Sequence, residues 1–215
     1  MDAKDIHEVV DILKEEAANW QTPVVSRYVQ SPFRVLISCL LSLRTQDKTT
    51  YAASERLFQI TDEPQNMVDL SLATIEKAIY PVGFYRTKAI NIKEICQILI
   101  TRYGGQVPDE LDELLKLPGV GRKTANLVIT MGYGKLGICV DTHVHRITNR
   151  WGYIKTKHPE ETEMALRRIL PQHYWIIIND LLVAYGQNIC KPLSPICSQC
   201  RLQPYCGQVG VKKSR

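Results

Sequence analysis

Apolar residues recur along this chain at three- and four-residue steps, and convincing period-two alternation is absent. In residues 2–19, Ile6, Val9, Val10 and Leu13 form one helical stripe, with Asp2 placed to cap it. Ser31-Pro32 is a cap followed by a first-turn proline and predicts a helix through Leu43. That segment is apolar on several sides, so it is expected to be central and buried. Further helices are predicted from Asp47, as cap, to Ile60, over Asn66–Leu70, and from Ser71 to Ile79. A long amphipathic helix from Thr87 to Tyr103 meets Gly104-Gly105 as its stop, and Pro108 opens one over Asp109–Lys116. Beyond Gly132 and Gly134, helices are predicted at 140–151 with Asp141 as cap, at 159–170 and at 172–187. The pattern is all-α with short connections.

Two of these helices meet at Leu117-Pro118-Gly119-Val120-Gly121-Arg122-Lys123-Thr124-Ala125, the second running on to about Thr130. Gly119 and Gly121 permit positive φ and a close backbone approach to a ligand. The first N–H groups of the second helix lack intrahelical partners and point outward at its positive end, an arrangement suited to a phosphate. Lys123 falls in that first turn, where the dipole disfavours a protonated amine and partial burial would disfavour it further. A lysine that loses its proton near neutrality is a candidate Schiff-base nucleophile. The plainer alternative is a helical joint carrying an ordinary surface lysine.

Composition adds a modest basic balance, net charge +5 and pI about 8.8 over 215 residues, which permits nucleic-acid binding without requiring it. The charged, amphipathic start does not resemble a signal peptide, and no apolar run is long enough to span a bilayer, so a soluble intracellular protein is expected. Cys39, Cys96 and Cys139 stand alone among apolar residues and are expected in the core. Cys190, Cys197, Cys200 and Cys206 are separated by six, two and five residues, with Pro192, Pro195 and Pro204 among them. Four thiolates on one loop suit an iron–sulfur cluster or a zinc ion; a single Cys-x-x-Cys unit leans toward iron–sulfur. Lys191, Arg201, Lys212, Lys213 and Arg215 flank this loop, either as a solvated tail or as a phosphate-contacting patch. Asp141 lies eighteen residues beyond Lys123. It is placed to cap a helix, and near Lys123 its carboxylate could also take up a proton or stabilise positive charge on a sugar.

The 117–125 hairpin, the step to Val140-Asp141-Thr142-His143 and the cysteine spacing together resemble the endonuclease III family of the helix-hairpin-helix superfamily, from Leu41-Ser42 to Cys206. The resemblance implies two helical lobes. A six-helix barrel carrying the hairpin would span 24–135; residues 1–23 and 136–215 would form the second lobe, holding a 4Fe–4S cluster on Cys190, Cys197, Cys200 and Cys206. Double-stranded DNA containing a damaged pyrimidine or an abasic site would lie in a groove between them. Lys123 and Asp141 would be catalytic, in a glycosylase and abasic-site lyase of base excision repair. Gly119, Val120, Gly121, Arg122, His143, Lys191 and Arg201 would contact DNA. Ser42 and Asp47 match positions that order water beside the lysine. A monomer acting in a prokaryotic cytoplasm, at the nucleoid, is the expectation.

Departures concern substrate choice. Arg44 stands where the family often has a Gln that fills the space left by the flipped base, and Phe84 where a Leu often wedges into the opposite strand. Arg can make two hydrogen bonds to guanine and Phe can insert between bases, which suggests a preference for lesions opposite G. Leu115 stands where some relatives carry Glu, so that a polar lesion contact is either missing or supplied by Glu113. Two other functions compete: a monofunctional mismatch glycosylase, which typically lacks the hairpin lysine, and a non-enzymatic DNA-binding protein, which needs no Lys123–Asp141 pair. Nine residues after Cys206 leave no room for the C-terminal domain of adenine-removing relatives.

Overall fold

The structure, a computed structural model, describes residues 3–20 and 27–215. Among these residues every regular element is helical. The chain divides into two compact units, Val24–Lys135 and Met1–Pro23 with Leu136–Arg215.

The Val24–Lys135 unit is built around α2 (Pro32–Ser42), where every residue from Val35 to Leu41 is buried. A helix buried on all sides must be surrounded: α3 (Asp47–Ile60), α6 (Tyr85–Tyr103) and α8 (Arg122–Leu127) pack on it directly. The remaining shell is α4 (Pro64–Asp69), α5 (Leu72–Ile79) and α7 (Leu111–Leu114). Several predicted ends shift. Asp47 is the first helical residue and Gln46 the cap, so Asp47 supplies first-turn negative charge rather than capping. Ser71 caps α5 as expected, accepting from the Thr74 amide at 3.1 Å. α6 begins at Tyr85 and ends at Gly104 in left-handed conformation. The helix expected over Asp109–Lys116 shrinks to the single turn α7, since the segment between Pro108 and Pro118 leaves little room for more. α8 continues as a π-helical stretch, Val128–Gly132.

The other unit packs α1 (Ile6–Ala17), α9 (Thr142–Trp151), α10 (Pro159–Ile169) and α11 (Ile178–Asn188) around Val9, Leu13, Val144, Ile147, Trp151 and Leu182. Each such side chain contributes about 1.5–3 kcal/mol by leaving water. The cap proposed at Asp2 lies outside the described residues, and α1 is entered from a 3₁₀ turn at Ala3–Asp5. The helix expected over 172–187 is split into a 3₁₀ turn, Gln172–Tyr174, and α11. Trp175 lies at the break, its indole N–H held by the Leu170 carbonyl just after α10 at 2.8 Å, a local bond that anchors the break.

Candidate active site and cysteine loop

The hairpin joins α7 to α8 through hydrogen bonds from Leu117 N–H to Leu114 O and from Val120 N–H to Leu117 O, both 3.1 Å. Gly119 is left-handed at φ +75°, and a Cβ there would meet Asn91 Nδ2 at 2.7 Å, so this position requires glycine. Gly121 differs from expectation: at φ −100° it is the extended cap of α8, and a Cβ on it would meet nothing within 4 Å. Glycine is therefore not demanded there by the fold. Arg122 is half-buried, and Lys123, the second residue of α8, is exposed. Beneath it lies Cys39 of α2, whose thiol burial pushes up to about 12 against the opposing charge of Lys123. Cys96 and Cys139 are buried like Cys39.

Asp141 belongs to the other unit and caps α9. Its Oδ1 accepts the amides of His143 at 2.8 Å and Val144 at 2.9 Å, and the residue is buried. His143 packs over Gly186, with Nδ1 at 3.1 Å from the guanidinium of Arg146.

At the C-terminus of α2 the chain makes a tight turn. Ser42 Oγ donates to Cys39 O at 2.7 Å, and Arg44 follows in left-handed backbone at φ +54°. Phe84, the residue before α6, is also left-handed at φ +57° and 63% exposed, so its ring is no part of the core. The Arg44 guanidinium lies over the Phe84 ring, 5.6 Å from its centre. The structure thus brings together two of the three residues that depart from the pattern the resemblance implies. Asp47 is exposed at the start of α3. Glu113 is occupied: it accepts from Tyr103 Oη at 2.7 Å and pairs with Lys116 at 2.6 Å, so it is no free substitute for a lesion contact at Leu115.

Cys190, Cys197, Cys200 and Cys206 line one hollow with Arg150, Trp151 and Tyr185, partly open to solvent. Donors are directed at the sulfurs. The Gln208 amide and Arg150 Nη1 each donate at 3.4 Å, to Cys206 and Cys190, and Tyr185 Oη lies 3.2 Å from Cys200. Burial raises the thiols of Cys200 and Cys206. Among the described residues no group of three or more His, Cys, Asp or Glu is arranged to hold a metal ion. Arg150 also ties the loop to α9 through the carbonyls of Lys191 and Pro192, both at 2.7 Å. Arg201, expected at phosphate, is instead committed to Glu15 at 2.8 Å and Glu16 at 3.2 Å. Lys88, which the sequence did not single out, is buried beneath the Arg44 turn; no local signal distinguishes it from Lys93, the other lysine of α6.

Residues 37–172 match the HhH-GPD superfamily of base excision DNA repair proteins. Endonuclease III of Thermotoga maritima is 51% identical over 81% of this chain and 82% of its own length. The chain belongs to the endonuclease III family. The family extends to longer proteins: the chloroplastic endonuclease III homolog 2 of Arabidopsis thaliana is 48% identical over 81% of this chain, which spans 47% of that protein. Among solved structures, a trapped endonuclease III–DNA covalent intermediate, an estranged-adenine complex, superposes with a TM-score of 0.86 at 34% identity, covering 97% of each chain.

Proposed function

We propose that this endonuclease III family member is a bifunctional DNA glycosylase and abasic-site lyase of base excision repair, acting on double-stranded DNA that contains a damaged pyrimidine or an abasic site. The observation that carries the reading is an exposed Lys123 in the first turn after a glycine hairpin, in a chain similar to an enzyme trapped covalently on DNA. A monofunctional mismatch glycosylase would not need that lysine, and a binding-only protein would need neither Lys123 nor Asp141.

In the proposed reaction the damaged nucleotide is flipped out of the stack. The neutral amine of Lys123 attacks C1′ as the C1′–N bond breaks and the base leaves with its electron pair and gains a proton. Asp141 accepts the lysine proton and stabilises the positive charge developing on the sugar. Both cap hydrogen bonds engage Oδ1, and Oδ2 is the oxygen assigned to this work. The sugar ring opens to a Schiff base, which makes the C2′ proton acidic. Loss of that proton breaks the C3′–O bond and cleaves the strand 3′ to the lesion. Gly119, Val120, Gly121 and Arg122 hold a nearby phosphate, Arg44 and Phe84 enter the duplex, and His143 and Lys191 contact the backbone. Ser42 and Asp47 order water beside the lysine.

Cys190, Cys197, Cys200 and Cys206 would hold a 4Fe–4S cluster. Four thiols around one hollow, with N–H and O–H donors directed at sulfur, suit that group better than a single ion. The cluster would supply structural cross-linking of the loop to α9. No described helix is long and apolar enough to cross a membrane; a monomer in a prokaryotic cytoplasm, at the nucleoid, is part of this reading.

Strand cleavage of matched duplexes carrying a damaged pyrimidine opposite G or opposite A tests the function and its preference together. We expect cleavage of both and a several-fold faster reaction opposite G, from the Arg44 contact. Equal rates would remove the preference, and no cleavage would remove the function.

A further inference from the structure

Of the non-glycine residues described with positive φ, two face each other at a single place, Arg44 and Phe84. A bulky residue in that conformation is strained and persists only where its surroundings over-determine it. The restraint is visible. Lys88, one turn into α6 from Phe84 and 6% exposed, reaches back under the end of α2. Its Nζ donates to Leu41 O at 2.9 Å, to Leu43 O at 2.6 Å and to Thr45 Oγ1 at 3.4 Å. Thr45 Oγ1 in turn accepts the Gly83 amide at 3.2 Å, which closes a ring from the Arg44 turn to the residue preceding Phe84. Gly83 completes the fit, since a Cβ there would lie 2.8 Å from Arg44 O. Leu41 O is one of the carbonyls the end of α2 leaves without a helical partner, and Leu43 O is shared with Thr45 Oγ1, which donates to it at 3.2 Å. A buried lysine costs desolvation, and this one accepts that cost at the point where the two exposed residues are aimed.

We propose that Lys88 is the positioning residue of the DNA wedge: it fixes the 43–45 turn against Gly83 so that Arg44 and Phe84 enter the duplex as one stacked pair. The proposal rests on the reading of Arg44 and Phe84 as DNA contacts. Lys88 itself touches neither DNA nor the reacting atoms.

The test is a mutant cycle on the whole protein, with affinity for an abasic-site duplex read by fluorescence anisotropy and cleavage kinetics by gel. Lys88→Met in the wild-type background is expected to weaken binding about tenfold, within the range of coupling between residues sharing one network. The loss should fall more on KM than on kcat, and Lys88→Arg, which keeps the donors, should recover part of it. In an Arg44→Ala/Phe84→Ala background, Lys88→Met should cost almost nothing further. A merely structural lysine would cost the same factor in both backgrounds, and that result would overturn the proposal, as would unchanged binding by Lys88→Met where Arg44→Ala/Phe84→Ala binds weakly. If Arg44→Ala/Phe84→Ala binds like wild type, the wedge reading falls first and takes the proposal with it. Should Lys88→Met fail to fold, Thr45→Val and Gly83→Ala loosen the same ring from its other side and carry the same expectations.

Discussion

Asp141 caps α9 and is proposed to act on the sugar as well, and the two roles separate by substitution. As the cap of α9 it satisfies the His143 and Val144 amides with one oxygen. Asn caps helices about as well as Asp, whereas Ala forfeits roughly 0.5–2 kcal/mol. Asp141→Asn should therefore melt near wild type and lose most of its glycosylase rate, while Asp141→Ala loses both. Calorimetry beside single-turnover cleavage distinguishes them, and an active Asp141→Asn would leave the cap as the residue's only task. Lys88 provides a pH test. Burial lowers it from its ordinary value to about 8. Between pH 8 and roughly 10.4, the value of an unfolded lysine, the unfolded chain binds the extra proton. Lys88 should thus make the protein gain stability as pH rises through that window, on the order of 2 kcal/mol. Urea melts of wild type against Lys88→Met at pH 7.5 and 10 measure the difference; a parallel response would contradict it.

At the scale of elements, the hairpin's two glycines make different demands. Gly119→Ala meets both a left-handed backbone and the Asn91 side chain and should cost about 1–3 kcal/mol of stability. Gly121→Ala sits in extended backbone with open space before it, so it should cost no more than about 1 kcal/mol, the lost cap preference. If the hairpin backbone meets a phosphate, Gly121→Ala should still weaken DNA binding, because the added methyl stands where the ligand approaches. Full binding by a stable Gly121→Ala would place the phosphate elsewhere. The sequence made α2 and the Ser71 cap of α5 legible because their signals are local: an apolar run with Ser-Pro before it, and a serine ahead of helical periodicity. It overextended α7 because three leucines at helical spacing say nothing of how little room two prolines leave. Arg44 and Phe84 could be named from motif position, but their left-handed backbones could not, since neither is glycine. The Lys88 ring joins residues more than forty positions apart, and only the tertiary fold brings them together.

Across the whole molecule, the proposed chemistry draws on both compact units. The nucleophile, the hairpin and the Arg44–Phe84 pair belong to Val24–Lys135; the carboxylate and the cysteine loop belong to the other. α9 links the latter two, with Asp141 capping its start and Arg150 in its last turn holding the carbonyls that follow Cys190. Loss of a cluster on that loop would therefore be felt first along the helix that begins at Asp141. The central claim concerns the other unit and is tested most directly by borohydride trapping on a duplex containing an abasic site, with wild type and Lys123→Ala side by side. Borohydride reduces a Schiff base to a stable amine, so the account predicts a covalent protein–DNA adduct from wild type and none from Lys123→Ala. An adduct that survives the substitution would assign the chemistry to another amine, and its absence from folded wild type would contradict the lyase altogether.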